Sequence, residues 1–227
     1  MKVLAIESSC DDTSFSIVSD EKSIDFIKTI NHRKFHKKHG GVIPEIAARQ
    51  HLDIMDYLQK SIKKLDFKKI DAIAATYGPG LIGGLIVGSS FAKGLSIGKQ
   101  KKLIPINHLQ AHLLSPRLTS SLSFPYLCLL VSGGNTALVL VKNPKKFITL
   151  GSTIDDSAGE CFDKVSKALG LGYPGGPIIE KLALKGDRYK YKLPLPLTKV
   201  KNCNFSFSGL KTAAIDIIKK NRTNKKF

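Results

Sequence analysis

One pattern occurs twice in this chain and constrains its fold more than any other feature: two short apolar strands joined by a small polar turn. Residues 3–8 and 14–18 are β-branched and apolar, and Ser9-Cys10-Asp11-Asp12-Thr13 separates them. Further along, Tyr126–Val131 and Ala137–Val141 flank Ser132-Gly133-Gly134-Asn135-Thr136. A hairpin opening each half predicts two α/β domains of related plan, a weak internal symmetry rather than a sequence repeat. The segments between fit that plan. From Pro44 to Leu65, the residues Ile46, Ala47, Ile54, Leu58, Ile62 and Leu65 recur at helical spacing. Ile70–Thr76 is a short buried strand stopped by Tyr77-Gly78-Pro79-Gly80. Leu81–Ile97 is apolar and dotted with glycine, which suits a helix lying close against a sheet. Leu103–Ile106 is a further strand, and His108–Leu114 is helical.

The polar, serine-rich stretch Arg117–Pro125 divides the chain into expected domains of residues 1–120 and 121–227. In the second half, residues 158–169 read as an amphipathic helix and Gly170–Pro177 as a glycine-proline loop. A helix then runs to about Lys185, and the basic tail Lys219–Phe227 has no apolar face and is expected to fray.

Bulk properties exclude several classes. With 227 residues and 42% hydrophobic content, the chain can bury one good core or two small ones. The opening run Val3–Ile6 is too short for a signal-peptide core. No later run reaches the roughly 18 apolar residues of a membrane helix. Cys10, Cys128, Cys161 and Cys203 lie far apart with no Cys-x-x-Cys pair, as expected for free thiols in a reducing compartment. These features predict a soluble, cytoplasmic protein with no membrane partner. The net charge of +18 points to a polyanion such as RNA, through release of counterions from its phosphates. Only Arg33, Arg49, Arg117, Arg188 and Arg222 are arginine, so a lysine-biased composition gives the same total.

Three constellations could carry chemistry. In His108-Leu-Gln-Ala-His112, the four-residue spacing puts both imidazoles on one helical face, where they can share a divalent metal. A metalloprotease needs Glu directly after the first His, and Leu109 stands there, so the peptidase reading fails. Two ligands also require a third, and no residue stands out for that role. The second constellation is Leu130-Val131-Ser132-Gly133-Gly134-Asn135-Thr136, where glycines between strands let backbone amides approach an anion. Its counterpart in the first half, Glu7 to Thr13, offers hydroxyls and the carboxylates of Asp11 and Asp12. The third is Ile154 to Lys164: Asp155 and Asp156 are candidates to cap the following helix, while Glu160, Asp163 and Lys164 could reach a ribose or amine. Tyr173-Pro174-Gly175-Gly176-Pro177 then suits a wall for a flat ring or sugar.

In this order the pieces resemble one family, the tRNA threonylcarbamoyl-adenosine synthases once misnamed glycoprotein endopeptidases. The resemblance runs through Ile6–Thr13, His39–Gln50 (HGGVIPEIAARQ), Tyr77–Gly84 (YGPGLIGG), Asn107–Pro116 (NHLQAHLLSP), Leu130–Thr136, Ile154–Lys164, Gly170–Pro177 and Phe205–Thr212 (FSFSGLKT). It implies an α/β fold of the two-domain actin/Hsp70/sugar-kinase type. The activity it implies is transfer of a threonylcarbamoyl group from threonylcarbamoyl-AMP to the exocyclic amine of the adenosine 3′ of a tRNA anticodon. Residue by residue, it makes His108 and His112 two of three ligands to one divalent metal. Iron ranks ahead of zinc, although imidazole suits both. Leu130, Val131, Ser132, Gly133 and Gly134 become the ligand cradle, and Asp163, Gly176 and Glu180 contacts to the adenosine. Asp11 and Asp12 are assigned to steering the amine. The implied partners are tRNA, a non-catalytic paralogue and a small ATPase protein.

The family pattern continues past Phe227 to a further adenosine-binding asparagine and a metal-binding aspartate. The expectation is therefore a second domain that is incomplete and an activity that this chain alone does not guarantee. Two other readings compete: a nucleotide-binding ATPase or kinase of the same fold, which gives the His-x-x-x-His pair no role, and a non-catalytic partner subunit, which would not need that pair.

Overall fold

Strand β1 (Val3–Glu7) lies at the centre of a five-stranded sheet because its two edges are filled in different ways. On one side β2 (Asp12–Val18) and then β3 (Ile24–Asn31) fold back antiparallel. On the other, β4 (Ala72–Gly78) and β5 (Lys102–Asn107) run parallel to it, giving the order β3-β2-β1-β4-β5. Parallel pairing requires crossovers, and helices α2 (Pro44–Ile62) and α3 (Ile82–Lys99) supply them. The short helices α1 (Arg33–His36), α4 (His108–Leu114) and α5 (Pro116–Thr119) complete this part. This computed structural model describes residues 1–20, 23–36, 39–62 and 65–223, and the chain divides into two compact units, Met1–Thr119 and Ser120–Phe227.

The first unit's core follows from alternation. Leu4 and Ile6 on β1 and Phe15 and Ile17 on β2 point to one side, where Met55, Leu58 and Ile62 of α2 meet them. Leu4, Phe15 and Leu58 are fully buried, and each such side chain contributes roughly 1.5–3 kcal/mol. In β4 every residue from Ala72 to Thr76 is buried, as befits a parallel strand covered on both faces. α2 starts with Pro44, whose fixed φ suits the first helical position. Its core face includes the fully buried His51, which hydropathy alone does not identify. α3 comes very close to the β1–β2 loop: the Ser8 hydroxyl donates to the Gly84 carbonyl at 2.9 Å, and a Cβ at Gly84 or Gly88 would collide with Ser8.

The second unit is an antiparallel meander, β6 (Tyr126–Val131), β7 (Thr136–Asn143) and β8 (Lys146–Ser152), followed by α6 (Ala158–Leu169), α7 (Gly175–Ala183) and α8 (Ser208–Thr223). Among the described residues β6 has one strand neighbour where β1 has two. Its Leu127, Leu129 and Val131 are 61, 57 and 53% exposed.

Several expectations need correction. Neither Asp155 nor Asp156 caps α6. Ser157 does, its hydroxyl accepting from the Glu160 amide at 3.1 Å, and Gly170 in the left-handed conformation ends the helix. Asp155 instead caps α8: its carboxylate accepts from the amides of Phe207 and Ser208 at 2.7 and 3.2 Å and from the Ser206 hydroxyl. Asp156 pairs with Lys164 and Lys211. Residues Lys219 to Thr223 of the tail are helical, the last part of α8, while residues 224–227 lie outside the described residues. Strands β3 and β8 went unread because their apolar residues alternate with lysine, threonine and asparagine at a sheet edge.

Candidate metal centre and its surroundings

β5 ends in Asn107, whose side chain accepts from the Gln110 amide at 3.0 Å and so starts α4 at once. The strand thereby delivers His108 as the first helical residue and His112 one turn later. Their Nε2 atoms lie 3.2 Å apart, with the rings edge to face at 86°. A tetrahedral metal with bonds of about 2.0–2.1 Å holds its nitrogens about 3.3 Å apart, so this pair has the spacing of two ligands to one ion.

The far side of His108 is held just as definitely. Its Nδ1 lies 3.0 Å from Ser9 Oγ and 3.4 Å from Glu7 Oε2. Glu7 Oε1 accepts from the Ser9 amide at 2.6 Å, and Oε2 accepts from the Thr76 hydroxyl. Burial pushes the Glu7 carboxyl up, but hydrogen bonds from His108, Ser9 and Thr76 outweigh it and bring the pKa down to about 2. Glu7 is therefore an anion. The Glu7 carboxylate beside Nδ1 can only accept. The proton of His108 thus sits on Nδ1, facing the hydroxyl and the carboxylate, and the Nε2 lone pair faces His112. A carboxylate behind a ligating imidazole fixes its tautomer and raises its basicity. Burial, and then His108, push the His112 imidazole below its usual value. Among the described residues no group of three His, Cys, Asp or Glu side chains converges as a full ligand set.

Glu7 and Ser9 were not singled out from sequence. A signal was available: Glu7 is the charged residue ending an otherwise apolar strand, at the point where the chain enters its polar turn. Asp11 lies in the turn after β1 and Asp12 opens β2; the charge of Asp11 acts on His32, His36 and His51. Asp12 already pairs with Asn31 in the ladder of β2 and β3. Desolvation, followed by Asp11, pushes the Cys10 thiol up to about 12, which favours the protonated thiol near neutral pH.

In the second unit the turn from Leu130 to Gly134 is tied down on several sides. The Ser132 amide donates to the Asn135 carbonyl at 2.8 Å, so it is already used. The Ser132 and Gly133 carbonyls accept from the Gly159 amide and the Ser157 hydroxyl. The amides of Gly133 and Gly134 make no hydrogen bond among the described residues, and a Cβ at either would meet nothing within 4 Å. Of the five residues assigned to the cradle, these two have amides to offer, Leu130 is buried, and Val131 is exposed. Asp163 accepts from the Gly175 amide at 2.6 Å, which anchors the start of α7, and Gly176 and Glu180 follow on that helix.

Residues 26–225 match the family described as TsaD, tRNA N6-adenosine threonylcarbamoyltransferase. The chain belongs to this family. It is 52% identical over 221 residues to the tRNA N6-adenosine threonylcarbamoyltransferase of Orientia tsutsugamushi (strain Boryong), covering 96% of this chain and 64% of that one. To the protein of the same name from Wolbachia sp. subsp. Brugia malayi (strain TRS) it is 51% identical over 219 residues, covering 95% of this chain and 65% of that one. The chain thus spans about two thirds of the length of these curated relatives. Among solved structures, the Acidaminococcus fermentans (R)-2-hydroxyglutaryl-CoA dehydratase component A superposes with a TM-score of 0.52 at 13% identity, covering all of this chain and 70% of that one. A ROK family protein from Streptococcus pneumoniae TIGR4 gives 0.51 at 15% identity, covering 82% and 68%. The fold is the actin/Hsp70/sugar-kinase one that the resemblance implied, and these two structures bear on the fold alone.

Proposed function

We propose that the protein to which these 227 residues belong transfers a threonylcarbamoyl group from threonylcarbamoyl-AMP to the exocyclic amine of the adenosine 3′ of a tRNA anticodon. The observation that carries this reading is the pair of Nε2 atoms 3.2 Å apart, with His108 Nδ1 turned toward Glu7 and Ser9, in a member of the TsaD family. His108 and His112 would hold one divalent ion, iron or zinc. When bound, that ion supplies Lewis-acid polarisation of the carbamoyl oxygen.

The remaining work falls to the chain's own residues. The amides of Gly133 and Gly134 offer donors to an anionic oxygen of the adenylate. In this reading Gly176 and Glu180, on the helix that Asp163 anchors, contact the adenosine. The adenosine amine forms a bond to the carbamoyl carbon, the carbon–oxygen bond to phosphate breaks, and AMP leaves with that electron pair. Asp11 or Asp12 takes the amine proton, a role that needs the β1–β2 loop held still. In this reading tRNA, a non-catalytic paralogue and a small ATPase protein are the partners, and the +18 charge favours the tRNA encounter.

The test is incorporation of labelled threonine into unmodified tRNA by the purified protein with its partner proteins, bicarbonate and ATP. The reading predicts label at the adenosine 3′ of the anticodon and its loss in His112→Ala. Label that persists unchanged in His108→Ala and His112→Ala would remove the pair from the reaction.

A further inference from the structure

The first unit contains a second His-x-x-x-His pair, His32 and His36, which the proposed function does not use. Both rings are fully buried, as are His51 and Thr13 beside them. Their hydrogen bonds can be followed from two ends at which donor and acceptor admit no choice.

At one end His51 Nε2 lies 3.1 Å from the Cys10 carbonyl, which can only accept, so Nε2 carries the proton. His51 Nδ1 is then a lone pair, and the Thr13 hydroxyl, 2.8 Å away, donates to it. The hydroxyl has one proton, so Thr13 Oγ1 must accept from His32 Nε2–H at 2.9 Å. His32 Nδ1 is left as an acceptor. At the other end the Ile43 amide, which can only donate, points at His36 Nδ1 from 3.3 Å. His36 therefore carries its proton on Nε2, as a donor. His32 Nδ1 and His36 Nε2 are both buried and have no partner among the described residues.

These two ends complement each other. The ring centroids are 6.5 Å apart. A direct N–H···N bond of about 3 Å would limit that separation to roughly 5 Å, whereas two bonds of about 2.8 Å through one tetrahedral oxygen give about 6.5 Å. A shared metal fails on proton accounting, because His36 Nε2 keeps its hydrogen as long as Nδ1 accepts from Ile43.

We propose that His36, one bridging water, His32, Thr13 and His51 form a one-directional hydrogen-bond relay that runs from the Ile43 amide to the Cys10 carbonyl and positions Asp11. The relay reaches the loop at adjoining peptides. His51 donates to the Cys10 carbonyl, and the backbone amide of His32 donates to the Asp11 carbonyl at 2.8 Å. The relay requires all three rings to be neutral. Burial acts in that direction on each, holding His32 at about 4 and His36 and His51 below their usual value, although Asp11 pulls the other way on all three. His32, His36 and His51 are positioning residues. Their bearing on catalysis rests on the function proposed above; the relay itself does not.

The experiment is long-range ¹H–¹⁵N correlation of the imidazoles in the full chain at neutral pH, assigned through single substitutions. His32, His36 and His51 should all appear as neutral Nε2–H tautomers. A neutral Nδ1–H form or an imidazolium at any of the three overturns the relay. Two variants then separate positioning from packing. His32→Gln places an N–H donor where Nε2–H was, and should leave the Asp11 and Cys10 backbone shifts near their wild-type values. His32→Leu should move them. Equal displacement by both variants, or by neither, overturns the positioning role. A failed threonine-transfer assay beside the expected tautomers would count against the proposed function and leave the relay standing.

Discussion

His32/His36 and His108/His112 share the same spacing, lie in the same unit and differ in what they can do. In the His108/His112 pair, Glu7 and Ser9 take the proton of His108 on Nδ1, and the Nε2 atoms meet 3.2 Å apart, partly open to solvent. In the His32/His36 pair, a backbone amide occupies His36 Nδ1 and forces the proton onto Nε2, inside a fully buried network. The spacing sets where two imidazoles go. The group behind each ring sets which nitrogen keeps its lone pair, and with it whether the pair binds a cation or transmits a hydrogen bond.

The largest effect expected from breaking this contrast lies in the buried network. His51→Leu takes one of two partners from the buried Thr13 hydroxyl and the imidazole donor from the Cys10 carbonyl. An unsatisfied buried group costs about 1–3 kcal/mol, so the substitution should destabilise the protein by an amount in that range in denaturant melts. A loss under half a kcal/mol would mean that the network does not bear on stability.

Acid should act on the same region. His32 falls from 6.5 to about 4 on folding. Between these values the unfolded chain binds more protons, so this contribution is complete above pH 6.5 and is lost as the pH falls toward 4. At about 1.4 kcal/mol per unit it is of order 3 kcal/mol. Melts of wild type and His32→Gln across that window should differ in slope, and parallel curves would contradict the assignment.

Glu7→Gln tests the other pair. It removes the charge behind His108 and one of the acceptors used by Ser9 and Thr76, so it should weaken metal binding by about 10- to 100-fold and also lower the melt. Unchanged affinity would mean that the carboxylate does not tune the imidazole. Gly133→Val should have the smallest effect on folding, since a Cβ there meets nothing within 4 Å. It should still abolish AMP binding in calorimetric titrations, and unaltered binding would move the ligand away from this turn.

What the sequence made legible follows the same division. Strands such as β1 and β6 and the helix α6 could be read directly, because apolar periodicity and turn chemistry decide them locally. The His108/His112 spacing was legible for the same reason. Glu7 was not, since its role depends on β1 and β5 flanking β4, whose Thr76 bonds to it. His51 was passed over because a polar residue on a helix's inner face reads as a break in the apolar pattern, and His32 and His36 because they fall in a short polar segment with no periodicity. Asp155 was taken for a cap of the adjacent helix when it caps α8, 53 residues along the chain at Ser208. Pairings between distant segments leave no local trace in a single sequence.

The central claim is that the two His-x-x-x-His pairs differ in metal binding because their protons are placed differently. The most direct measurement is titration of the metal-free protein with cobalt(II), followed by its visible absorption, in wild type, His112→Gln and His36→Gln. The account predicts one site in wild type, its loss in His112→Gln, and its retention at near wild-type affinity in His36→Gln. Loss of the site in a folded His36→Gln protein, or its survival in His112→Gln, would contradict it.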